Sequence, residues 1–216
     1  MGRKNITKAK ITKAAWKLFS EKGYEATTID DIVALSESSK GSFYHYFSGK
    51  DALLASLHEI FDAKYEEVMQ TLDPEMNSYD KLLYLCYCVH DMIEQDIPLG
   101  LLAYLYSSQV VTKGDKHLLN QNRFYYRMVT HLVDEGQRRG QIITSMPYYE
   151  VAHLYSICER AIIYDYCICD GSYSLGEQTR RLMPILFGHV RVPEAGEKRP
   201  AEGAVCGDSR RRSAEM

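Results

Sequence analysis

Between Ile11 and Leu54 the chain reads ITKAAWKLFSEKGYEATTIDDIVALSESSKGSFYHYFSGKDALL, and no other stretch restricts the fold so tightly. Ile11, Ala14, Ala15, Leu18 and Phe19 recur at helical spacing, while Lys8, Lys10, Lys13, Lys17 and Lys22 fall on the opposite side, so a helix with one apolar face is expected. Gly23 ends it as a C-terminal cap. Thr28 with Asp31 three residues on is a capping-box pattern that opens a second helix, with Ile29, Ile32 and Val33 inward. A tight turn at Ser36 to Ser38 follows. Ser39 caps a third helix, SKGSFYHYF, whose Phe43 and Phe47 point to the core and leave Lys40, Ser42, Tyr44 and His45 outward. Ser48 with Asp51 repeats the capping pattern and opens a fourth helix, expected from Gly49 to about Leu72. Three short helices ending in a basic, aromatic tip have the layout of a helix-turn-helix.

The segments AAWKLFSEKGYEATTIDDI and SKGSFYHYF, followed by Lys50 and Leu53, resemble the N-terminal domain of the tetracycline-repressor (TetR) family of bacterial transcriptional regulators. The resemblance covers roughly the first fifty-five residues. It implies an all-α chain: a three-helix DNA-binding domain over 1–50, a helical effector-binding and dimerisation domain over 51–192, and a double-stranded DNA operator as partner. Where the family usually has a small residue, a glycine and an aliphatic residue in the turn, this chain has Ser36, Glu37 and Ser38, which removes the residue suited to positive φ and suggests an altered turn.

Charge separates the same two parts. Residues 1–50 hold nine Lys or Arg against five Asp or Glu, whereas residues 51–192 hold twelve against nineteen. The overall net charge of -3 thus hides a basic head on an acidic body, an arrangement that favours phosphate at the head. For DNA contact the candidates are Thr27, Thr28, Ser39, Lys40, Gly41, Ser42, Tyr44, His45 and Lys50. Lys40 and His45 carry donors for base edges or phosphate, Gly41 allows close backbone approach, and Ser42 donates or accepts. Tyr44 and Lys50 fit phosphate clamps, with Thr27 and Thr28 presenting hydroxyls at a helix N-terminus.

No stretch has the length and apolarity of a membrane span, and the lysine-rich N-terminus has no apolar run behind it, so a cytoplasmic protein without membrane association is expected. Six cysteines in that compartment are expected as thiols. Cys86 and Cys88, like Cys167 and Cys169, are two apart on expected helices and face about 200° away from each other. Neither pair chelates one ion locally, and a metal site would need cysteines from different helices; no metal site and no cofactor are expected.

The body reads as helices: from Ser78 to near Pro98, from about Leu99 to Gln109, from about His117 to Arg139, from Tyr149 to Cys169, and from Leu175 to His189 behind a Ser174–Glu177 capping box. Residues 193–216 are rich in Gly, Pro and charge and read as a disordered tail. The helix from Tyr149 carries two apolar stripes. Val151, Leu154, Tyr155, Cys158 and Ile162 form one, and Ile157, Ala161, Tyr164 and Ile168 the other. A helix buried on one side only needs no second stripe. The resemblance implies that the last two helices pair with their copies across a two-fold axis, with Ile157, Ala161, Ile162, Tyr164, Leu182 and Leu186 in the interface; burial inside one monomer gives the same pattern.

Tyrosines, methionines and histidines populate the helices that enclose an effector cavity in the family. Tyr84, Cys88, Met92, Tyr104, Tyr125, Met128, His131 and Tyr155 are the candidate lining for a small organic molecule, against the alternative that tyrosine simply fills helix boundaries. No GxSxG, HExxH or paired-carboxylate pattern points to an enzyme. The expected function is a repressor that binds a palindromic operator as a homodimer and is released by a small molecule. The alternatives are a redox- or metal-responsive regulator of the same fold, or a helical interaction protein without DNA binding.

Overall fold

Gly23, at φ +82°, takes the chain out of α1 (Arg3–Lys22), whose Ile11, Ala15, Leu18 and Phe19 are buried. Thr28 and Asp31 form the full reciprocal box in front of α2 (Ile29–Leu35): the Thr28 hydroxyl accepts from the Asp31 amide at 3.1 Å and the Asp31 carboxylate accepts from the Thr28 amide at 3.0 Å. Ser39 accepts from the Ser42 amide at 3.0 Å and starts α3 (Lys40–Tyr46). Phe43 and Phe47 then close a small core against α1 and α2. In the turn between α2 and α3, Glu37 takes φ +50°, the left-handed conformation a glycine would adopt freely. The Ser36 hydroxyl lies 2.8 Å from that of Ser38, which stands where the aliphatic residue is missing.

The computed structural model describes residues 3–111 and 116–193. Within them the chain is all-α, apart from one isolated antiparallel bridge between Ile142 and Arg191. The tail expected over 193–216 lies, from residue 194 on, outside the described residues. The expected single helix from Gly49 to Leu72 is two, α4 (Lys50–Ala55) and α5 (Leu57–Met69), broken at Ser56, whose buried hydroxyl and amide both turn back to the Leu53 carbonyl, at 2.6 and 3.0 Å. The expected Ser48 cap is also absent. Gly49 is the N-cap of α4, with no side-chain cap bond, and Asp51 is held by the Tyr24 hydroxyl instead.

The body consists of α6 (Ser78–Asp96), α7 (Leu99–Val111), α8 (Phe124–Arg138), α9 (Tyr148–Ile168) and α10 (Leu175–Phe187). Asn77 caps α6, accepting from the Tyr79 amide at 2.9 Å. The helix expected from His117 starts later: residues His117–Leu119 form one 3-10 turn, and α8 begins only at Phe124, after Arg123 has left the helical path to reach Asp62. At α10 the Ser174 cap is one-sided. Its hydroxyl accepts from the Glu177 amide at 3.3 Å but donates to Glu94 on α6, tying the two helices together. α6 lies at the centre, packed by α5, α8 and α10, while α9 covers α8 and α10 from outside and α7 bridges to α1 and α4. None of the described helices is long and apolar enough to cross a membrane.

Candidate functional site

The short α3 presents one exposed side. Lys40, Gly41, Tyr44 and His45 are exposed there, with Ser39 at its start and Ser42 half-buried; the Tyr44 side stands 56% exposed although aromatic. The Lys40 ammonium rests on the Asp30 carboxylate of α2 at 2.7 Å, a pair that solvent screens on both sides. Thr28 is exposed at the α2 N-terminus.

Two of the expected contacts sit elsewhere. Thr27 is fully buried and its hydroxyl donates to the Gly23 carbonyl at 2.8 Å, so that hydroxyl faces the core and not a phosphate. Lys50 turns its ammonium inward, to the carbonyls of Tyr24 and Thr27, both at 2.8 Å, and over the Tyr24 ring at 4.6 Å. A charge that satisfies two loop carbonyls and an aromatic face pins the α1–α2 loop rather than standing free as a clamp.

Inside the body, a cavity of about 40 Å³ lies between α5, α6, α8 and α9, lined by Phe61, Tyr65, His90, Tyr106, Arg123, Tyr125, Glu159 and Arg160 among others. Glu159 is buried at its wall and accepts hydrogen bonds from Tyr65 at 2.9 Å and, more tightly, from Tyr125. Burial pushes the Glu159 carboxyl up, and the phenol hydrogen bonds pull it only partly back. The same burial holds Tyr65, Tyr125 and Tyr155 far above the ordinary phenol range, so all three remain donors. Arg123 grips Asp62 at 2.6 and 3.2 Å, both nearly buried, and Arg160 donates to the Tyr126 hydroxyl at 3.1 Å.

Of the expected lining, Tyr125 alone meets this cavity. Tyr84, Cys88 and Met92 follow the outer side of α6, with Tyr84 46% exposed. Met128 is buried on the inner side of α8, and Tyr155 donates to the Leu82 carbonyl at 2.8 Å as a buried brace between α9 and α6. His131 faces an open groove between α8 and α9 with Tyr149 and His153. Tyr104 reaches the other way, to the head, where its hydroxyl donates to Glu25 at 2.8 Å. Glu159, Tyr65, Arg123 and Arg160 went unrecognised. Glu159 was the legible signal, a carboxylate lying next to Cys158 in an apolar stripe and hence headed for burial.

The two stripes of α9 divide as an interface would require. Ile157, Ala161, Tyr164 and Ile168 are exposed, as is Leu186 on α10, with Leu182 half-buried beside it. Ile162 is the exception. It is 3% exposed and belongs to the inner stripe, four residues from Cys158, so it packs within the monomer.

Residues 11–57 match the family model for bacterial regulatory proteins of the tetR family. The transcriptional regulator QacR of Staphylococcus aureus is 29% identical over 136 residues, 62% of this chain and 72% of its own. HbdR of an Aromatoleum strain is 30% identical over 95 residues, 44% of this chain and 42% of its own length. Among solved structures, Thermus thermophilus FadR in complex with lauroyl-CoA superposes with a TM-score of 0.69 at 16% identity, over 89% of this chain and 99% of that one. Bacillus subtilis FadR in complex with stearoyl-CoA gives 0.68 at 17%, over 85% and 100%. These two share the fold. With a capped helix-turn-helix at the matching residues and a helical body of the same fold behind it, the segment 11–57 is the DNA-binding segment of bacterial regulatory proteins of the tetR family.

Proposed function

We propose that the protein is a cytoplasmic repressor that binds a palindromic operator as a homodimer and is released by a small molecule. The observation that carries this reading is the exposed side of α3, where Lys40, Gly41, Ser42, Tyr44 and His45 project from a helix locked at its start by Ser39. A helix so placed enters the major groove with its first residues at base edges, while Thr28 and the α2 N-terminus address the backbone. In this reading residues 1–50 read DNA and residues 51–192 bind the effector and the second copy. The outer stripe of α9 with Leu182 and Leu186 of α10 is the natural seam, because an apolar stripe of this length is costly in water. Two heads on one axis would then address half-sites about one helical turn or more apart.

The cavity of about 40 Å³ is far below the roughly 300–1,000 Å³ of an ordinary small-molecule site. An effector with an apolar body, for which the acyl-CoA ligands of the two FadR proteins offer a starting series, therefore selects a more open arrangement of α5, α8 and α9. It displaces the operator only by the difference in its affinity for the two arrangements. Gel shift with the gene's own upstream DNA, followed by a panel of acyl-CoA thioesters and hydrophobic small molecules, tests this. Specific retardation that a panel member reverses supports it. Absence of any specific DNA complex sinks it.

A further inference from the structure

Cys86 and His90 are four residues apart on α6 and so share one face, and Glu159 comes toward them from α9; all three side chains are buried. The thiol sulfur, an imidazole nitrogen and a carboxylate oxygen all lie within 4.8 Å of one another. Cys86 Sγ and His90 Nε2 stand 3.8 Å apart. A tetrahedral zinc ion with ordinary bond lengths would hold a sulfur and a nitrogen about 3.5 Å apart, so the pair is within a few tenths of an ångström of that spacing.

The tautomer of His90 is fixed by its neighbour. The Thr179 hydroxyl spends its proton on the Leu175 carbonyl at 2.7 Å, so at 2.7 Å from His90 Nδ1 it must accept, and Nδ1 carries the hydrogen. Nε2 therefore turns an unprotonated lone pair toward Cys86. Burial keeps the ring neutral, with its pKa pushed down to about 3. This is the state and support of a metal-binding imidazole, its far nitrogen held by a hydrogen-bond partner. Glu159 is oriented in the same way by the Tyr65 and Tyr125 hydroxyls.

We propose that Cys86, His90 and Glu159 form a buried binding site for one divalent transition-metal ion of the zinc class, with its fourth position open to the adjoining cavity. A mixed sulfur, nitrogen and oxygen set favours zinc, cobalt or copper over magnesium or calcium. On binding, the Cys86 thiol releases its proton to water, as does any proton that the Glu159 carboxyl holds, and the thiolate and carboxylate together neutralise the two positive charges. The loaded site thus carries no net charge into the apolar core. The cavity, of about 40 Å³, has room for the water that completes the shell. Tyr106, Leu118 and half-buried Arg160 line both this cavity and an open groove on the outside, so the way in runs between them. The site does not depend on the effector reading above.

The test is a titration of chelator-treated full-length protein with cobalt(II), read by thiolate-to-cobalt charge-transfer absorption and competed with zinc. The expected result is one cobalt per chain with that absorption, lost in Cys86→Ser and unchanged in Cys88→Ser and Cys167→Ser. Thr179→Val, which touches only the back of His90, keeps the absorption while affinity falls by about 10–100-fold. No thiolate absorption in the unmodified protein, or absorption that survives Cys86→Ser, overturns the proposal. Gel shift on the same metal-free protein separates the two readings, since operator binding without any cobalt signal removes the metal site and leaves the regulator standing.

Discussion

The ring of Tyr104 on α7 lies nearly parallel to that of Tyr24 in the α1–α2 loop, 3.9 Å between centroids and 27° between planes. Tyr24 in turn donates to Asp51 of α4 and has the Lys50 ammonium over its ring, so one aromatic pair ties α7 of the body to the α1–α2 loop of the head. Tyr104→Ala should lower stability by about 1–2 kcal/mol from the lost stack and edge packing. It should also split the calorimetric transition into a head step and a body step. Tyr104→Phe, which keeps the stack and loses the Glu25 bond, should retain one transition; a single transition in the alanine variant would show the stack to be incidental.

Lys40 and Lys50 should separate in opposite senses. Lys50→Ala strips the donor from the Tyr24 and Thr27 carbonyls and should cost about 1–3 kcal/mol of stability. Lys40→Ala, an exposed change, should leave the melting temperature alone and weaken the specific operator by about 1–3 kcal/mol while weakening random DNA less, as loss of a base-edge contact does. Thermal melts beside salt-dependent DNA titrations decide it, and a changed melt for Lys40→Ala with unchanged DNA affinity would reverse the assignment.

At the outer stripe, Tyr164→Asp and Leu186→Asp should give folded monomers, since each places a charge on a surface that is exposed in the single chain and would be covered in the proposed dimer. Ile162→Asp should instead unfold the body, because that side chain is enclosed within a single monomer. Sedimentation and circular dichroism distinguish the outcomes. Dimers that survive both surface changes would place the seam on other helices.

Glu37→Gly should stabilise the head by about 0.5–1 kcal/mol. Relief of the φ +50° conformation, about 1–2 kcal/mol for a residue with a β-carbon, is offset in part by the larger entropy that glycine loses on folding. Denaturant unfolding measures the difference, and a destabilised variant would mean that the Glu37 side chain contributes more than its backbone costs.

The head was legible because its signals are local. Thr28 and Asp31, Ser39, Gly23 and the Phe43–Phe47 spacing act within three or four residues, and each took the place expected of it. The failures are tertiary. Lys50 finds carbonyls twenty-three and more residues away, and Arg123, turned to Asp62, stands as the N-cap where α8 begins later than expected, neither of which periodicity encodes. In the body, sequence ranked tyrosines by their number, whereas the cavity is organised by one carboxylate, Glu159, whose importance arises only from the four helices that close around it. Among the cysteines, Cys86 looks to His90 one helical turn on and away from Cys88, a pairing that cysteine spacing alone does not bring up.

The interruption at Ser56 changes what the passage from body to head can do mechanically. An unbroken rod would carry any tilt of α5 into the DNA-reading helices degree for degree. Two rods meeting at a single residue form an elbow, in which α4 stays fastened to the head through Lys50 and Asp51 while α5 follows the body. In the proposed dimer the separation of the two heads would be set by the bend of that elbow, so its stiffness would become the gearing between what the body senses and how far the heads travel.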